Sequence, residues 1–208
     1  MSGKPQAILL PGGAGYIGSH IVVELLERTP YTVIVVDNLA NAVGDQTDKN
    51  LNPPSLARAL KIVQESKGED LSNRLKFYYK EYDDLELLNQ VNQEYTILAT
   101  IIVAGHKAVG ESKFKPLMYY SNNVCKTVNL LTGLSELGLK NVIFSSSATV
   151  YKPQHEDEIK PLSENMETGN CTNAYARTKF FIEEILKDLC YFWGWSVSLF
   201  LGQLLSFF

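Results

Sequence analysis

The run Gly12-Gly13-Ala14-Gly15-Tyr16-Ile17-Gly18 constrains the fold of this chain more than any other feature. It follows an apolar stretch, Ala7-Ile8-Leu9-Leu10, and leads into a helical pattern from Ile17 to Glu27. Strand, glycine turn and helix in that order are the context a dinucleotide fingerprint requires. Glycines allow the tight turn and let the backbone come against a pyrophosphate, whose charge then meets the helix N-terminus. The run satisfies G-x-G-x-x-G at Gly13, Gly15 and Gly18, and G-x-x-G-x-x-G at Gly12, Gly15 and Gly18.

A β-rich run, Thr32-Val33-Ile34-Val35-Val36, follows and ends in Asp37. An acid about twenty residues past the turn accepts from a ribose 2′-hydroxyl and repels a 2′-phosphate, so NAD is favoured over NADP. A glycine loop without a ligand is the plain alternative; strand, helix, second strand and acid in sequence count against it. Further on, apolar β-rich runs alternate with helical patterns. Strands are expected near 6–11, 32–37, 75–80, 96–104, 141–146 and 196–201, and helices near 16–28, 55–66, 84–93, 116–137 and 173–192. That alternation predicts an α/β protein, a Rossmann-type doubly wound parallel sheet covered on both faces, in one domain over residues 1–208. Asn38 to Pro54, rich in Asn, Asp, Gly and Pro, reads as a loop.

The second informative stretch is Ser145-Ser146-Ser147-Ala148-Thr149-Val150-Tyr151, with Tyr175-Ala176-Arg177-Thr178-Lys179 beyond it. Tyr175 and Lys179, four apart, fall on one helix face. There the ammonium favours the phenolate, and an upstream Ser can hydrogen-bond the same reacting oxygen, a proton-transfer arrangement for an alcohol. A lone Tyr-x-x-x-Lys is more often an ordinary helix surface; the glycine turn elsewhere in the chain is what gives it weight.

The net charge of −4 argues against general attraction to nucleic acid. Cys125, Cys171 and Cys190 form neither a metal pattern nor a disulfide framework, which fits a reducing, cytoplasmic setting. The N-terminus is too short and polar for a secretory signal. His20, His106 and His155 are too scattered for a metal or a triad. After Asp188 there is no charged residue up to Phe208, a length that meets a membrane span. Seven polar or small residues dilute it and no basic residues flank it, so it reads as a helix end, a buried strand over Ser196 to Leu201 and an apolar tail, with no membrane expected.

With both motifs placed, the chain resembles the extended short-chain dehydrogenase/reductases, and within them the UDP-glucose 4-epimerase family. The stretches that carry the likeness are Gly12 to His20, Asp37-Asn38, Ala104 to Ser112, Ser145 to Tyr151, and Asn170 to Asn173 through Lys179 to Glu184. The resemblance implies NAD as cofactor and UDP-glucose and UDP-galactose as substrates, interconverted through a 4-keto sugar. It implies Tyr175 as base, Lys179 as its charge partner and a nicotinamide-ribose contact, and Ser147 positioning the oxygen, with Ala148, Thr149 and Asn123 on the substrate side. Gly12, Gly15, Tyr16, Ile17, Gly18, Asp37, Asn38 and Asn41 match cofactor contacts near the turn, and Glu81, Val103 and Lys107 match others. It also offers the 115–137 and 173–192 helices as pairing surfaces for a homodimer.

The chain departs from the family at several points. Pro11 stands where a Thr is usual, losing a backbone donor and a hydroxyl. Glu81 replaces an Asp and Val103 a Phe. Lys126 and Lys152 each replace a Gly, and a left-handed backbone at either would be strained by about 1–2 kcal/mol. After Leu199 the family's Arg-Tyr-Phe-Asn-Pro stretch gives way to an atypical apolar tail over 199–208, so the C-terminal substrate-binding region is expected to be absent, the chain a truncated product, and its catalysis impaired. Two other readings stay open: a non-catalytic NAD-binding or partner-binding module, and another nucleotide-sugar-modifying enzyme of the same family.

Overall fold

The computed structural model describes residues 3–41, 53–154 and 161–201. Most of the loop expected over Asn38 to Pro54, together with His155 and residues 202–208 of the expected tail, lies outside the described residues.

All six expected strands form within two residues of their expected ends: β1 Gln6–Pro11, β2 Thr32–Asp37, β3 Leu75–Tyr79, β4 Thr96–Ile102, β5 Asn141–Ser146 and β6 Ser196–Leu201. They make a six-stranded sheet in the order β3-β2-β1-β4-β5-β6. β1 pairs in parallel with β2 (Leu9 against Ile34) and with β4 (Leu9 against Thr100), and β2 with β3. The order reverses direction between β1 and β4, and ligands of open α/β sheets bind in the crevice at that switch point. Ala7 to Leu10 and Val33 to Val36 are buried throughout, the continuous apolar pattern of strands covered on both faces.

The helices are α1 Tyr16–Arg28, α2 Pro54–Lys67, α3 Leu85–Glu94, α4 Val109–Phe114, α5 Pro116–Tyr119, α6 Lys126–Glu136 and α7 Ala174–Trp193. Val22 and Leu26 of α1 meet Leu56, Ala59 and Val63 of α2 in a core cluster with Leu10, Val33 and Val35. These sites are fully buried, so cutting one back to Ala, as in Leu26→Ala, costs about 2–5 kcal/mol. α7 starts where Asn173 caps it, its side chain accepting from the Ala176 N–H at 2.9 Å, and stops at Gly194, whose φ of 65° takes the chain out of the helix.

Two expectations are corrected. The single helix expected over 116–137 is three pieces: α5, a π-helical turn over Tyr120–Cys125, and α6, preceded by the separate α4. The wide turn is one residue out of step with the α-helical repeat, which apolar periodicity does not report. The strand expected to be buried over Ser196 to Leu201 forms but is exposed, with Leu199 and Phe200 open by 42% and 51%, because β6 ends the sheet order.

The chain divides into two compact units. The first is Met1–Ala104 with Asn129–Val142, and the second is Gly105–Val128 with Ile143–Phe208.

Candidate active site

In the first unit the glycine turn closes over the ends of β1 and β4. Gly12 has φ 82°, and a Cβ there would lie 2.4 Å from the Ala104 backbone nitrogen. A Cβ on Gly18 would lie 2.5 Å from both the Gly12 carbonyl oxygen and the Gly13 Cα. These two glycines are therefore fixed by close backbone approach. Gly15 is different: it precedes α1 with φ −72° and its Cβ would touch nothing nearer than the Gly12 oxygen at 3.4 Å. No side chain caps α1, so the N–H groups of its first turn are left to an outside acceptor. Tyr16 is exposed, Ile17 half-buried and Gly18 buried.

Asp37 ends β2 beside this turn. Its carboxylate accepts from the Ala14 N–H at 3.1 Å and the Leu39 N–H at 2.8 Å. Burial pushes the carboxyl above its usual range, the two N–H groups pull it back, and Glu81 adds a smaller push. Asn38 donates to both Glu81 oxygens at 3.1 Å, so the longer acid at 81 is drawn to the β2 end. Asn41 is exposed and Val103 half-buried. An uncapped helix start, glycines whose Cβ would fill the turn, and an acid held at the next strand fit a dinucleotide. The pyrophosphate would be held by the N–H groups at the turn and a ribose by Asp37.

The second unit carries the Tyr-Lys pair. Lys179 is buried on α7, and its ammonium donates to the Ser145 carbonyl at 2.7 Å and sits 4.6 Å from the centre of the Phe144 ring. Burial pulls the ammonium down to about 8, and the Glu183 carboxylate raises it against that pull. Tyr175, one turn earlier, is half-buried. Ser147 caps a short turn over Ala148–Val150; its Oγ accepts from the Thr149 hydroxyl at 3.0 Å and from the Thr149 N–H at 3.3 Å. Ala148 is half-buried and Thr149 exposed.

Asn123, brought inward by the π turn, is 3% exposed. Its Oδ1 accepts from the His106 N–H (2.8 Å) and from Asn122 (3.0 Å), while its Nδ2 donates to the His106 carbonyl (2.9 Å) and to Thr178 (3.2 Å). The side chain is spent on holding the 105–108 segment to α7. The Tyr119 hydroxyl, which accepts the Ala108 N–H at 3.1 Å, pins the same segment and leaves Lys107 exposed.

The departures cost less than the sequence suggests. Pro11 is the last residue of β1, and its carbonyl accepts from both Val103 and Ala104 at 3.0 Å. Lys126 is helical at φ −66°. Lys152 is not among the residues of positive φ, and its ammonium pairs with Glu167. Neither lysine is strained. What sequence reasoning missed is the buried pair Ser146–Glu183, where the hydroxyl donates to the carboxylate. Glu183 stands four residues past Lys179, so the spacing was there to be read.

The fold and these residues define a Rossmann-type nucleotide-cofactor protein whose α7 helix also carries a Tyr-x-x-x-Lys pair. The chain belongs to the NAD dependent epimerase/dehydratase family, which it matches over residues 8–200. It is 43% identical over 191 residues to the UDP-glucose 4-epimerase of Homo sapiens, covering 89% of this chain and 49% of that one. With the Bacillus subtilis (strain 168) UDP-glucose 4-epimerase it shares 44% over 184 residues, covering 88% and 48%. Among solved structures, the UDP-glucose 4-epimerase from Bifidobacterium longum in complex with NAD+ and UDP superposes with TM-score 0.75 at 37% identity, covering 93% of this chain and 52% of that one. The chain spans about half the length of the curated relatives it matches.

Proposed function

We propose that the chain binds NAD and takes part in the 4-epimerisation that interconverts UDP-glucose and UDP-galactose. The observation that carries this reading is the Lys179 ammonium, buried and fixed on the Ser145 carbonyl one helical turn from Tyr175, with Ser147 two residues beyond. The Tyr175 phenolate takes the proton from the sugar 4-hydroxyl. Lys179 holds a positive charge beside it, which favours the phenolate. Ser147 donates to the same oxygen and keeps the sugar oriented. Bound NAD supplies the acceptor, and then the donor, of the hydride at carbon 4. Tyr175 returns its proton to the 4-keto oxygen as the reaction closes. Gly12, Gly15, Tyr16, Ile17 and Gly18 receive the pyrophosphate, Asp37 selects a free 2′-hydroxyl, and Asn38, Asn41, Glu81, Val103 and Lys107 complete the cofactor contacts.

The exposed Leu117, Phe181, Tyr191 and Phe192 support pairing of two copies through the 115–137 and 173–192 helices. Three unpaired cysteines suit a cytoplasmic setting. No helix among the described residues is long and apolar enough to cross a membrane.

The test is to denature the purified chain and resolve the released nucleotide by chromatography, then to assay UDP-galactose turnover. Near-stoichiometric NAD or NADH with turnover that Tyr175→Phe abolishes is the expected result. Nucleotide without turnover would leave a cofactor-binding module, and no nucleotide, with none bound on adding NAD, would overturn the reading.

A further inference from the structure

Tyr175, Lys179 and Glu183 occupy successive turns of α7, so one stripe of that helix carries a phenol, an ammonium and a carboxylate. The last two are almost wholly enclosed, with Lys179 6% and Glu183 4% exposed. Two neighbouring residues of β5 receive them. The Ser145 carbonyl accepts from Lys179 at 2.7 Å, and the Ser146 hydroxyl donates to Glu183. Ser147 follows immediately, so the serine triplet divides its work: one carbonyl for the ammonium, one hydroxyl for the carboxylate, and one hydroxyl left for the substrate side.

We propose that Glu183 is a positioning residue for the Tyr175–Lys179 pair: its buried carboxylate is the counter-charge that keeps the Lys179 ammonium charged, and through Ser146 it fixes the β5 end that presents Ser147. The inference rests on Lys179 serving Tyr175 as described above. A buried ammonium with only a carbonyl and a ring face around it would shed its proton readily, since burial disfavours the charged form. A carboxylate one turn away opposes that, and the serine donor satisfies the carboxylate without neutralising it. The Glu183 carboxylate is the charge that opposes the effect of burial on Lys179. Its other ionisable neighbours are Tyr151 and Cys171, which are in turn influenced by Glu164 and Arg177 respectively. Neither Tyr151 nor Cys171 supplies a competing positive charge. Breaking this arrangement therefore acts on Lys179 first and on Tyr175 through it.

The experiment titrates the Lys179 amine in the full chain without cofactor or substrate. Lysines are reductively methylated with ¹³C, and the Lys179 signal is assigned by its loss in Lys179→Arg. Glu183→Gln keeps an acceptor for Ser146 but removes the charge, and is expected to move the Lys179 midpoint down by about one pH unit or more. Ser146→Ala keeps the carboxylate but withdraws its donor, and is expected to move it down by less. Glu183→Asp, which retains a charge, is expected to recover part of the shift. Should Glu183→Gln fail to fold, the Ser146→Ala and Glu183→Asp titrations still decide the matter. An unchanged midpoint in the folded variants would overturn the proposal. Because this readout needs neither NAD nor turnover, its failure is distinguishable from failure of the epimerase reading.

Discussion

The Lys179 ammonium and the Ser145 carbonyl meet at 2.7 Å in an enclosed site whose other wall is the Phe144 ring. The ammonium is held at about 8, against 10.5 for a free lysine. A base whose folded value is depressed binds fewer protons folded than unfolded between those two values. Stability is therefore lost as pH falls through about 8 and regained as pH rises towards 10.5, with a difference on the order of 3 kcal/mol. Denaturant unfolding of wild type and Lys179→Met at pH 7, 8, 9 and 10 should show wild type gaining on the variant as pH rises. A constant difference would count against a depressed ammonium.

Gly15 and Gly18 separate two reasons for a glycine. A Cβ at Gly18 meets backbone at 2.5 Å, whereas one at Gly15 meets nothing closer than 3.4 Å. Gly18→Ala should therefore cost about 2 kcal/mol or more in stability, the range of a backbone clash in a packed turn. Gly15→Ala should stay within about 1 kcal/mol of wild type while weakening NAD retention, because its methyl group stands at the helix start where a pyrophosphate would approach. Thermal melts and nucleotide release on the two variants check this; equal stability losses would remove the distinction.

Asp37 should set the choice of dinucleotide. Its carboxylate, held by the Ala14 and Leu39 N–H groups, places negative charge at the end of β2. Asp37→Ser removes that charge and keeps a short polar side chain. The ratio of NADP to NAD affinity, measured by calorimetry, should rise by about tenfold, or about 1.4 kcal/mol. An unchanged ratio would place the 2′-hydroxyl elsewhere.

Much of this was legible in the sequence because β1 and β2 are buried on both faces. The runs at Ile8 to Leu10 and Val33 to Val36 carry their own length, and the glycine turn fixes what lies between them. The π turn at Tyr120–Cys125 was not legible, since the bonds it goes with are tertiary: Asn123 reaches His106 and Thr178, residues 17 and 55 positions away. Glu183 was hidden for the opposite reason. A Glu four residues past a Lys on a helix is ordinary surface patterning, and only burial distinguishes it. The exposed β6 reads as core by composition alone, because strand order is not written in local hydropathy.

Lys152 tests whether a residue foreign to its family strains the fold. Its N–H bonds the Glu167 carbonyl at 2.9 Å, and its ammonium pairs with the Glu167 carboxylate at an exposed position. An exposed pair is worth about 0.2–1 kcal/mol, and glycine adds unfolded-state entropy worth about 0.4–1 kcal/mol. Lys152→Gly should therefore destabilise by about 1 kcal/mol in urea unfolding. A stabilised variant would mean that Lys152 sits under strain after all.

The Asn123 amide makes four hydrogen bonds while 3% exposed. Asn123→Leu preserves volume but removes every one of them. The Thr178 hydroxyl keeps its own bond to the Tyr175 carbonyl at 2.7 Å, so it is not orphaned. The His106 N–H and carbonyl lose these two bonds, and a buried group left unsatisfied costs about 1–3 kcal/mol. The expected loss is about 3 kcal/mol, read from the denaturation midpoint. The segment carrying Lys107 should also loosen, raising hydrogen exchange at His106 before the strands of the first unit exchange. A variant within about 1 kcal/mol of wild type, with His106 still protected, would show that the segment is held by the Tyr119 hydroxyl and the backbone rather than by Asn123.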